Sequence, residues 1–142
     1  MLIGEYQHNI DSKGRVIVPS KLREDLGDRF VVTRGLDSCL FIYPLDRWEA
    51  IVEKLKTLPL TDGDVRRFAR FFTSGAAQCE CDTQGRILIP SVLRQYAGLS
   101  KNIVTIGVVD RVEIWDSQKW QDYNEGAFDG DALAGKMASL GI

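Results

Sequence analysis

Short apolar runs broken by turn residues fill the first third of the chain, and longer runs with helical spacing follow. Glu5–Ile10 reads as a strand that leads into Asp11-Ser-Lys-Gly14. That tetrapeptide has turn chemistry: an Asp can bond its own backbone two residues on, and Gly tolerates positive φ. Arg15-Val-Ile-Val18 is then the returning strand of a β-hairpin, and its three apolar β-branched residues predict burial on both faces. Pro19 fits either the first helical position or the residue before a Ser20 cap. Leu22 and Leu26 share one face of a short helix that Gly27 ends. Phe30–Arg34 and Leu40–Tyr43 are two further strands joined by a Gly35–Ser38 turn.

Trp48, Ile51, Val52, Leu55 and Leu58 recur at helical spacing, which predicts a helix over Leu45–Leu58 stopped by Pro59. Thr61-Asp-Gly-Asp64 has the form of a capping box, opening a helix with Val65, Phe68, Ala69 and Phe72 on one face. The first plan then returns. Strands are expected over Ala76–Cys81 and Arg86–Ile89 around an Asp82–Gly85 turn, with a short helix over Pro90–Ala97. Ile103–Ile106 and Val112–Trp115 give two more strands, and Ser117 is placed to cap a helix through Trp120 and Tyr123. The last stretch, Asp131–Leu140, predicts a weak helix because of its glycines, one that frays or docks on a partner.

The return is a duplication. Asp11–Gly27 laid over Asp82–Gly98, 71 residues later, matches at eight of seventeen positions: Asp11/Asp82, Gly14/Gly85, Arg15/Arg86, Pro19/Pro90, Ser20/Ser91, Leu22/Leu93, Arg23/Arg94 and Gly27/Gly98. No Pro- or Ser-rich linker separates the copies. Each half alone is about seventy residues, near the lower limit for an independent core. The expected architecture is therefore α+β, with residues 1–74 and 75–142 as two pseudo-symmetric halves of one body.

Composition adds less than the distribution of charge. The net charge of −2 and pI near 5.4 argue mildly against a polyanionic partner. Residues 12–23, however, carry Lys13, Arg15, Lys21 and Arg23 with no acid, and residues 83–94 carry Arg86 and Arg94 with none. From Asp110 onward seven acids face three bases. Positive charge thus collects on the repeated segment. Enzyme chemistry has little to work with: one histidine, His8, no nucleophile-elbow context, and no phosphate-binding glycine loop. Cys39, Cys79 and Cys81 lack zinc-site number and spacing and read as small apolar residues, so no metal and no cofactor are expected. The N-terminus lacks a signal peptide and no run is long enough to span a bilayer, which predicts a cytoplasmic protein. Two readings of the Asp–Arg turns remain: ion pairs that hold the turns, or a face presenting Lys13, Arg15, Arg23, Arg86 and Arg94 to a polyanion such as duplex DNA.

Asp-x-x-Gly-Arg, an aliphatic strand, Pro, and then x-x-Leu-Arg-x-x-x-Gly resembles the AbrB-like swapped-hairpin DNA-binding domain. Two such copies, with Gly4–Arg15, Thr33–Leu40 and Phe71–Gly75 around them, resemble the MraZ family of bacterial transcriptional regulators. The resemblance implies interleaved swapped-hairpin halves forming one β-barrel-like body with flanking helices, and homo-oligomeric rings. It implies a nucleoid-associated repressor that binds short direct repeats in double-stranded DNA upstream of the division and cell-wall genes, including its own. It maps the DNA-binding motif onto Asp11/Arg15 and Asp82/Arg86, with Gly14 and Gly85 supporting the turns. Lys13, where the second copy has Gln84, favours the first turn as the stronger contact. The competing functions are an oligomeric scaffold held by the Asp–Arg pairs and an antitoxin-like DNA-binding protein.

Overall fold

The computed structural model describes residues 1–127 and 129–142. The first copy contributes β1 (Leu2–Asn9), β2 (Arg15–Ile17), α1 (Ser20–Leu26), β3 (Arg29–Arg34) and β4 (Leu40–Pro44). Two helices follow, α2 (Leu45–Lys56) and α3 (Gly63–Ser74). The second copy contributes β5 (Ala77–Glu80), β6 (Arg86–Leu88), α4 (Ser91–Ala97), β7 (Asn102–Val109), β8 (Val112–Asp116) and α5 (Ser117–Ala127), and α6 (Gly130–Leu140) closes the chain.

Both expected hairpins are absent as local pairings, although their turns form. The strand before each turn and the strand after it join different sheets. Six strands form one antiparallel sheet in the order β1-β7-β8-β4-β3-β5, while β2 pairs with β6 in a separate two-stranded ribbon. β1 therefore lies on the second copy's β7, from Leu2 opposite Val109 to Asn9 opposite Asn102, and β5 lies on the first copy's β3. Exchanging the copies maps the strand order onto its own reverse. The pseudo-dyad passes between β4 and β8, where Phe41 faces Glu113, and through the ribbon, where Val16 faces Ile87.

Both faces of the six-stranded sheet are covered, which explains the continuous apolar runs in its central strands. Leu40 and Ile42 point into a core shared with Val16, Leu22, Ile87 and Leu93 of the ribbon and the short helices. Phe41 and Tyr43 point the other way, into a cluster with Phe72, Trp115, Trp48 and Trp120 of α3, β8, α2 and α5. Residues of both copies fill the first core without a seam. The ribbon has one covered face, so the expected burial of both faces of Val16–Val18 is wrong. Val16 and Val18 are buried, whereas Ile17 is 54% exposed.

Helix starts also depart from expectation. Pro19 itself occupies the cap of α1, neither of the two positions expected for it, and its carbonyl accepts from Leu22 and Arg23. Asp62, one residue after Thr61, caps α3 through the amides of Asp64 and Val65. Asp116 rather than Ser117 holds the start of α5, accepting from the Lys119 amide and from Ser100. In each aspartate case a carboxylate, with more acceptor strength than a hydroxyl, takes the free amides. The terminal helix forms under an Asp129 cap, and none of its residues is buried.

Leu93→Ala, in the shared core, should lower stability by about 2–5 kcal/mol. Chemical denaturation followed by tryptophan fluorescence and circular dichroism should show one transition for both halves. Two resolved transitions would contradict the shared core.

Candidate nucleic-acid interface

Each repeated turn is built around its aspartate. Asp11 Oδ1 accepts from the Lys13 amide at 2.9 Å and the Arg15 amide at 2.8 Å, and Oδ2 accepts from Arg15 Nε at 2.7 Å. Asp82 repeats this with the Gln84 and Arg86 amides and Arg86 Nε, all at 2.9 Å. Hydrogen bonds from the Arg15 backbone amide and then its guanidinium hold the Asp11 carboxyl below its ordinary range, and Arg86 does the same for Asp82. The native turns therefore gain from the ionised carboxylates above the ordinary carboxylate pKa. That gain is lost as pH falls through the lowered native values.

Gly14 and Gly85 sit at φ 84° and 77°, a region that side chains rarely adopt. They also leave room. A Cβ on Gly14 would overlap the Arg94 guanidinium, and one on Gly85 would overlap that of Arg23. Each short helix thus lays its arginine beneath the opposite copy's turn. The backbone repeats the exchange: Val18 N donates to Gly85 O and Ile89 N to Gly14 O, both at 2.9 Å. Arg23 Nε is buried, and no described residue accepts from it. Arg23 and Arg94, expected on the basic face with Arg15 and Arg86, lie beneath the turns instead, since helix position alone does not reveal the turn packed on them.

Arg15 and Arg86 lie on the outer face of the ribbon, with side chains 34% and 27% exposed. Each is anchored at Nε, and among the described residues no acceptor takes its two terminal nitrogens. Lys13 and Lys21 are exposed beside the first turn and helix. The hollows flanking the ribbon differ in charge. One, about 870 Å³, sets Arg94 and Lys101 against Asp11; the other, about 750 Å³, sets Arg23 and Arg29 against Glu24, Asp28, Glu80 and Asp82. The surroundings of the second turn are acidic and those of the first are not, a difference invisible without the fold.

The remaining candidates lie elsewhere. His8, half-buried in β1, shares a 2.6 Å hydrogen bond with Thr105 Oγ1, and burial lowers its pKa. Burial also pushes the Cys39 thiol far up and that of Cys79 to about 11. Among the described residues no cluster of His, Cys, Asp and Glu could hold a metal, and no helix is long and apolar enough to cross a membrane.

Two interleaved copies of one motif, presenting a single basic ribbon, define a tandem-repeat protein of the swapped-strand kind. The family model described as "MraZ protein, putative antitoxin-like" matches residues 1–71 and again 72–132. The chain is 59% identical over 142 residues to the transcriptional regulator MraZ of Clostridium beijerinckii, and 54% identical over 142 residues to that of Clostridium tetani, with all of both chains covered in each case. With the same regulator of Acetivibrio thermocellus it shares 56% over 143 residues, again across both full lengths. The chain belongs to the MraZ family.

Gly14→Ala should cost about 1–2 kcal/mol from its left-handed backbone alone and displace Arg94, whereas Gly63→Ala in the first turn of α3 should be neutral by comparison. Thermal denaturation distinguishes them, and equal effects would refute the role given to Gly14. Carbon NMR should place the Asp11 and Asp82 titration midpoints below the ordinary 3.8.

Proposed function

We propose that this protein is a sequence-specific regulator of transcription that binds double-stranded DNA through the Lys13, Arg15 and Arg86 face of the ribbon. The observation that carries the reading is the pair of arginines held by Asp11 and Asp82 with their terminal nitrogens turned to solvent. A guanidinium fixed at Nε is aimed before its ligand arrives, so little side-chain freedom is lost on binding. A two-stranded ribbon is narrow enough for the major groove, where Arg donates to guanine O6 and N7. The relatives' designation as transcriptional regulators supports the same partner.

The finer reading follows the family resemblance. The protein represses the division and cell-wall genes, its own included, by binding short direct repeats as a nucleoid-associated homo-oligomeric ring in the cytoplasm. Several subunits on successive repeats offset the weak binding of one small basic face through effective concentration. Residues 1–74 and 75–142 act as the two repeat units, and the ribbon closing over the sheet supports a β-barrel-like body. The first turn contributes more than the second, because Lys13 and Lys101 lie near it and four acids line the hollow by the other. Arg23 and Arg94 support the turns from beneath and reach phosphates at their exposed edges. The scaffold alternative loses ground because both Asp–Arg pairs close within one chain. The antitoxin-like alternative keeps one observation in its favour, the exposed Leu133, Met137 and Leu140 on one side of α6.

Fluorescence anisotropy with duplex DNA from upstream of the protein's own gene, against a scrambled duplex, tests this reading. Arg15→Ala should lose roughly 1–3 kcal/mol of specific binding with an unchanged sedimenting particle, and Arg86→Ala should lose less. Lys13→Ala should reduce the salt slope by about one. No preference for the upstream DNA would refute the regulator, and disassembly of Arg15→Ala would favour the scaffold.

A further inference from the structure

The outer face of the ribbon is not purely basic. Arg15 pairs opposite Leu88, and Ile17 pairs opposite Arg86. Residues opposite one another in a ladder share a face, as do residues two apart in a strand. Because Val16 and Ile87 point into the core, Arg15, Ile17, Arg86 and Leu88 form one outward patch, with the arginines on one diagonal and the aliphatics on the other. Ile17 is 54% and Leu88 59% exposed. They stand beside the two arginines that the turn aspartates hold.

A face that met only phosphates would gain nothing from two aliphatic side chains at its centre. Bases differ, because thymine places a 5-methyl group in the major groove beside the acceptors that Arg reads on guanine. Facing side chains on the ribbon are about 5 Å apart, against about 3.4 Å between successive base pairs. An arginine and its aliphatic neighbour therefore reach the same or adjacent base pairs. Two side chains also expose far too little surface for a stable protein interface, which buries on the order of 1,200–2,000 Å².

Resting on the DNA-binding reading above, we infer that Ile17 and Leu88 are specificity-determining residues that take thymine 5-methyl groups in the major groove, next to the guanines taken by Arg15 and Arg86. The pseudo-dyad presents this guanine-and-thymine reader twice. Its two halves differ, since Leu88 accompanies Arg15 and Ile17 accompanies Arg86.

The test compares two duplexes from upstream of the gene, one made with thymine and one with uracil at every thymine position, so that only the methyl groups differ. Wild type, Arg15→Ala, Ile17→Ser, Leu88→Ser and the double serine variant are measured by anisotropy, with melting curves to confirm folding. Burying one methyl is worth about fourfold in affinity, so wild type should prefer the thymine duplex by about fifteenfold. Each single serine variant should keep about a fourfold preference, and the double variant none. Specific wild-type binding that Arg15→Ala weakens, but that is equal for the two duplexes, overturns the methyl contacts and leaves the regulator standing. The same holds for a double variant that keeps the full preference. A double variant that keeps the preference while its sedimenting particle shrinks assigns the pair to contacts between copies instead. No specific binding by wild type overturns both readings together.

Discussion

Where Val16 faces Ile87, the two copies of the repeated segment meet, and the bonds on either side of that pair tie each turn to the opposite half. Val18 donates to the Gly85 carbonyl and Ile89 to that of Gly14, while Arg94 and Arg23 lie against the same two glycines. Neither turn can be placed without the other copy. The exchange of β1 onto β7 and β5 onto β3 extends the dependence through the whole sheet. The core beneath the ribbon is therefore filled from both copies, and one ribbon results, presented once per chain.

The two turns show how a chain of net charge −2 presents unoccupied cationic donors. Asp11 and Asp82 each offset one positive charge of the repeated segment, but all of their bonds fall within the turn. Each carboxylate binds two amides and one Nε, which leaves the outer nitrogens of Arg15 and Arg86 without an acceptor among the described residues. The ion pair within the turn occupies one nitrogen of a planar group and leaves two for the polyanion contact proposed above, a division that Lys, as a point charge, would not allow. Pseudo-symmetry then breaks at the periphery, where the two hollows carry opposite excess charge.

Much of this was legible in the residues themselves. Turn chemistry at Asp11–Gly14 and Asp82–Gly85, the short helices with Leu22 and Leu93 inward, and the strands of each half all depend on neighbours close in the chain. So did the long amphipathic helix, observed over Leu45–Lys56. The duplication announced two related halves, and the concentration of bases on it marked the surface of interest. Helix starts were off by about one residue at Thr61 and Ser117, where a neighbouring aspartate takes the free amides, and at Pro19, which caps α1 with no side-chain bond.

Strand partners belonged to the tertiary structure alone. The two copies share one plan, so β1 has counterpart partners in its own copy's β3 and the other copy's β7, and only the closing of the shared core selects the exchange. Val16-Ile-Val18 holds no polar residue to mark its outer side, so the exposure of Ile17 emerged only once Val16 was seen facing inward. Arg23 and Arg94 likewise read as free cations until the opposite turns were folded onto them. Local conformation is written in residue type and spacing, whereas the choice between equivalent partners is made by contacts far apart in the chain.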